Sequence, residues 1–187
     1  IRAKISRGLA DMRSLSTAVE QLRSDKGVLL VDWWDDDREW GQKRVHETFN
    51  NVGEGNGFAQ RHANLVLAPL TSPVSYMGSI PTDPFVPREL FIGTRRTLIN
   101  SYIYADDDPV DDSSDHNINA LKPGVAETLG LRTMNEGDYA LIGIGPDQVF
   151  GLGTGTTDQG RAVPYDASNG LMSNGDILFR GGGGINQ

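Results

Sequence analysis

The stretch YDASNGLMSNGDILFR, residues 165–180, places two Asn-Gly pairs between Asp166 and Asp176. Side-chain oxygens at that density can wrap a hard cation. The same residues also suit a plain double reversal ahead of the β-type run DILF, because Asn and Gly both tolerate positive φ. Other chemistry finds little support. His46, His62 and His116 are scattered and fit no metal-ligand spacing such as HExxH. No G-x-S-x-G elbow or P-loop occurs, and the Gly-rich run GLGTGTTDQG does not open a helix as a dinucleotide loop must. Carboxylates are plentiful but fall in loops, where solvation accounts for them. The chain offers no catalytic constellation.

The elements that would position these residues begin with a helix. Ile1, Ile5, Leu9, Met12, Leu15, Val19 and Leu22 recur at intervals of three and four, the mark of an amphipathic helix. Gly27 supplies a C-cap. No N-cap residue precedes the pattern, so the expectation is a chain that starts inside a longer helix. All three tryptophans, Trp33, Trp34 and Trp40, follow it, and residues 35–49 read as a short second helix. Packing of this Trp-rich stretch onto the body is favoured over an interface. Ser72 before Pro73 predicts a short helix over residues 73–77. RTLINSYIYA, residues 96–105, reads as one strand, followed by DYALIGIG, QVFGL and DILFR. Gly, Asp and Asn turns separate these strands, so the sheet is expected to be antiparallel and the class α+β.

With 187 residues the chain can bury a substantial core in one domain. A net charge of −8 argues against a nucleic-acid partner. Basic residues gather only at Arg2, Lys4, Arg7 and Arg13, which read as a solvated helix face. Without cysteine there is neither a disulfide framework nor a thiolate metal site. No apolar run reaches the length of a membrane span.

Taken together these stretches resemble the pseudopilins of the type II secretion and type IV pilus superfamily, most closely the major pseudopilin. AKISRGLADMRSLSTAVEQLRSDKG is similar to the soluble half of that family's N-terminal helix. LTSPVSYMGSIPTDPF resembles its second helix and its Pro-x-Asp-Pro-aromatic turn, carried here by Pro81, Asp83, Pro84 and Phe85. IGIGPDQ resembles its Gly-Pro-Asp element, with Gln148 where Gly is usual, and YDASNGLMSNGDILFRGG its C-terminal sequence. Residues 28–64 and 105–137 are longer than a minimal member would carry.

The resemblance implies one pilin-like domain over residues 1–187. Residues 1–26 would be the second half of the helix, 28–64 a variable insertion, and 65–187 a short helix, a sheet of three or four strands, and loops. It also implies a non-catalytic filament subunit taking part in protein export, periplasmic or extracellular, with an upstream transmembrane helix in a bacterial inner membrane. Its partners would be other pilin-like subunits and secretion or pilus assembly proteins. The alternative is a calcium-dependent adhesive or binding module of a type IV pilus-like surface structure, and an acidic-loop hydrolase ranks last. Major pseudopilins carry calcium in their C-terminal loops, so the resemblance implies a calcium site on Asp166, Ser168, Asn174 and Asp176, with Asp147 or Asp158 added from the preceding loop. Turns that need no ion explain the same residues, and Gln148 tips the balance towards them.

Overall fold

The computed structural model describes residues 1–55, 61–86, 90–91, 98–108, 126, 132–149, 165 and 175–181. Helix α1 spans Arg2–Lys26. It stops where Gly27 turns left-handed at φ 71° and donates its N–H back to the Arg23 carbonyl at 2.8 Å. Met12, Leu15, Val19 and Leu22 are fully buried, Ile5 and Leu9 pack at the edge of the core, and Ile1 is exposed. The expected stripe is therefore the buried one.

The stripe rests on an antiparallel sheet of three strands in the order β3 (Ile103–Asp106), β4 (Tyr139–Gly143) and β5 (Ile177–Arg180). Tyr104 pairs with Leu141, Asp106 with Tyr139, and Leu141 with Phe179. Side chains alternate across a strand, so Tyr102, Tyr104, Asp106, Tyr139, Leu141 and Phe179 share one face. Helix α1 lies on that face. Ser16 Oγ and the Tyr139 hydroxyl are 2.8 Å apart, and the Tyr102 hydroxyl donates to Asp11 Oδ2 at 3.0 Å. Every residue of the three strands is buried, so the opposite face is covered too.

After α1 the buried run Leu29–Leu30–Val31 leads into a 3-10 turn at Trp33–Asp35 and helix α2, Glu39–Glu47. Helix α3 covers Ala63–Leu67 and continues as a 3-10 turn through Ala68–Leu70. A two-stranded ribbon, β1 (Leu90–Phe91) with β2 (Leu98–Ile99), lies beside it. No helix among the described residues is long and apolar enough to cross a membrane.

Three expectations need correction. Residues 73–77 are not helical. The helix sits earlier because Ala63, Val66, Leu67 and Leu70 form a buried i, i+3, i+4, i+7 stripe, whereas Val74 is exposed and has nothing to bury against. The single strand expected over residues 96–105 is two strands in different sheets, β2 and β3. Asn100 and Ser101 break it by bonding elsewhere: the Asn100 amide donates to Asn64 Oδ1 at 3.0 Å, and Ser101 Oγ donates to the Pro81 carbonyl at 2.7 Å. In QVFGL, Gln148 and Val149 follow a turn and belong to no strand, while residues 150–152 lie outside the described residues.

Truncating the stripe tests this packing. Leu15→Ala is expected to cost about 2–5 kcal/mol of unfolding free energy, and Ile1→Ala under about 0.5 kcal/mol, both read from urea unfolding.

Candidate functional site

Among the described residues, one group of acidic side chains comes close enough together to hold a cation: Asp32, Asp35 and Asp106. Each offers a carboxylate oxygen, and these oxygens lie within 4.8 Å of one another. All three residues are buried. Asp32 is the cap of the 3-10 turn: its Oδ1 accepts the N–H groups of Trp34 at 2.8 Å and Asp35 at 3.2 Å. Its Oδ2 accepts the Asp106 N–H at 3.3 Å, which ties the Trp-rich segment to the end of β3. Asp106 Oδ2 in turn accepts the Tyr104 hydroxyl at 2.7 Å, and the Tyr104 ring stacks on Tyr139 with centroids 5.7 Å apart.

The electrostatics follow from burial. Desolvation pushes the Asp32 carboxyl well above the usual carboxylate range, and the neighbouring Asp106 and Asp35 push it further. Asp106 is raised for the same first reason, against the Tyr104 hydrogen bond that favours its charged form. Desolvation, with Asp106 next, raises the Tyr104 phenol. The guanidinium nearby is committed elsewhere: Arg44 pairs with Asp108 and stacks over Trp40 at 4.8 Å. A second arginine, Arg61, clamps the same segment. It holds Asp36 through its backbone N–H at 2.7 Å and Nε at 2.6 Å, and reaches the carbonyls of Val31 and Gly53. Chemically, the trio is a set of hard oxygen donors of the kind that suits calcium or magnesium.

Sequence reading missed this cluster. Asp32 and Asp35 were absorbed into a Trp-rich insertion and Asp106 into an acidic loop. The available signal was local: Asp32 stands between the apolar run VLLV and two tryptophans, and Asp106 ends the apolar run YIYA. An acid embedded in apolar sequence is placed for burial.

The expected calcium ligands fare differently. Asp158, Asp166, Ser168 and Asn174 lie outside the described residues. Asp176 is fully buried at the entry to β5, and its carbonyl accepts the Tyr165 N–H at 2.8 Å. Asp147 sits half-buried in the turn after β4, where Oδ1 accepts the Val149 N–H at 3.2 Å. This turn and the β5 entry touch: a Cβ on Gly145 would lie 1.6 Å from the Gly175 carbonyl, so only glycine fits there. Gln148 closes the turn at φ 61° and donates to the Gly145 carbonyl at 3.0 Å. That left-handed φ is the physical reason for a glycine at this place.

Asp83, in the PTDPF turn, has a structural role. Its Oδ1 accepts the Phe85 N–H at 2.8 Å and its Oδ2 the Ile144 N–H at 2.6 Å, locking the turn onto the end of β4. Phe85 is buried, with Lys4 Nζ 5.5 Å from its ring centre. Desolvation pushes the Asp83 carboxyl up to about 6, against the two backbone hydrogen bonds.

No protein-family model, curated protein or solved structure matches the chain. The fold class that stands is α+β, a long helix on a three-stranded antiparallel sheet.

Two expected outcomes follow from the turns. A side chain in the left-handed region costs about 1–2 kcal/mol, partly offset by the extra chain entropy of glycine, so Gln148→Gly should stabilise by about 0.5–1 kcal/mol in urea melts. Asp83 keeps its proton in the folded state to about pH 6 but loses it near 3.8 when unfolded. The stability this gives is full below pH 4 and falls as pH rises to 6. Measured against Asp83→Asn over pH 4–7, the native protein should lose up to about 3 kcal/mol relative to the variant.

Proposed function

We propose that the chain is a non-catalytic subunit of a pilin-like filament, most closely a pseudopilin of a type II secretion system that takes part in protein export. The observation that carries this reading is the way α1 is used. Its C-terminal two-thirds bury a continuous stripe on an antiparallel sheet, while Ile1, Arg2, Ala3, Lys4, Ser6 and Arg7 stand exposed. Such a helix is core over most of its length and free surface at its N-terminal end, and a filament subunit uses the free part to pack against its neighbours. Repeated head-to-tail contacts of this kind generate open helical assemblies when the rotation does not close. The PTDPF turn and the Gly145–Gln148 turn, two of the stretches that carry the resemblance, are both tied to β4, the central strand. In this reading the soluble domain lies in the periplasm or beyond, and its partners are further copies and assembly proteins of the secretion machinery.

Deleting the gene and assaying exported proteins in the culture medium tests it. Loss of exoprotein secretion, restored by the intact gene, is the expected outcome. Normal secretion with an attachment defect would replace this reading with an adhesive module, and substrate turnover by the purified domain would replace it with an enzyme.

A further inference from the structure

We propose that Asp32, Asp35 and Asp106 together bind a divalent cation of the calcium type, which fastens the Trp-rich segment to the end of β3. None of its three residues is among the C-terminal residues expected to hold calcium, and the site stands or falls independently of the filament reading.

Geometry comes first. Oxygens on opposite sides of a calcium ion at contact distances of about 2.3–2.6 Å are about 4.6–5.2 Å apart. The three carboxylates place their oxygens within 4.8 Å of one another, so one ion can touch all of them. Ionised carboxylates at that spacing repel each other, and a cation between them turns repulsion into attraction.

The second observation is at Asp106. Its Oδ2 is used by the Tyr104 hydroxyl, but Oδ1 is buried without any hydrogen-bond partner. A buried acceptor left in that state is costly unless something positive meets it. Among the described residues no lysine or arginine forms an ion pair with Asp32 or Asp106; Arg44, whose charge favours the ionised form of Asp106, is bonded to Asp108 instead. An ionised carboxylate has about four acceptor positions. Asp32 has given three of them to N–H groups, which leaves one lone pair and a fixed orientation for the ion to use.

Ligand chemistry selects the class of ion. Carboxylate oxygen is a hard donor, and the trio contributes neither sulfur nor imidazole nitrogen. Calcium tolerates irregular geometry and variable coordination, whereas magnesium demands a near-octahedral shell with retained waters. Carboxylates whose places are set by the 3-10 turn and the end of β3, rather than by an octahedral shell, therefore favour calcium.

The test titrates calcium chloride into chelator-treated protein by calorimetry and follows the melting temperature, with magnesium chloride as comparison. Calcium at a hundredfold excess over its dissociation constant should raise the melting temperature by about 5 °C or more. Terbium should bind in its place and luminesce on tryptophan excitation, since Trp33 adjoins Asp32. Asp106→Asn and, as an independent second variant, Asp35→Asn should each weaken calcium binding at least tenfold. If calcium yields neither heat nor a melting shift in the native protein, the proposal is overturned. It is equally overturned if both variants bind calcium as the native protein does, which would place the ion elsewhere.

Discussion

The whole structure depends on covering both faces of the β3–β4–β5 sheet. Antiparallel sheets commonly keep one face in water, and their strands then alternate apolar and polar residues. Here every strand residue is buried, including Asp106 and Arg180. A sheet of three strands has too little width to protect itself, so helices are recruited as cover. Helix α1 takes the face that carries Tyr102, Tyr104, Tyr139, Leu141 and Phe179, and α3 packs against β2 and β3.

Covering two faces forces polar groups inside, and several of them are answered by a specific partner. The Tyr139 hydroxyl meets both Oγ and the carbonyl of Ser16 on α1. Arg180 reaches the Arg132 carbonyl at 2.8 Å and pairs with Asp138, so the last strand is tied to the segment before β4. Close contact has its own requirement: a Cβ on Gly181 would enter the Tyr139 ring. Arg61 satisfies three segments of the Trp-rich region at once, and its loss would leave Asp36 buried without its charge partner. Breaking such pairs costs more than forming them contributes, because the remaining partner stays desolvated. The polar contacts thus specify one arrangement of elements that the apolar core alone would allow to slide.

Met12, Leu15, Val19 and Leu22 join α1 to the sheet, while its first turns stay exposed. The Asp32–Asp106 connection joins the same body to the Trp-rich segment, which presents a different surface.

Some of this was legible in the residues themselves. The period of three to four in α1, its stop at Gly27 and the runs DYALIG and DILFR are local patterns, and local patterns state which residues a helix or strand must bury. The helix at Ala63–Leu67 is readable in principle from its apolar spacing, whereas the Ser72-Pro73 signal misleads because capping preferences ignore whether a core lies within reach. The division of residues 96–105 into two strands needed Asn64 and Pro81, partners far away in the chain that claim Asn100 and Ser101. The carboxylate cluster lies furthest from sequence reading. Asp32 and Asp106 are 74 residues apart, and an aspartate looks the same in sequence whether it meets water or another aspartate. Periodicity carries the direction in which a side chain points, while the packing of α1 on the sheet decides which distant charges that direction brings together.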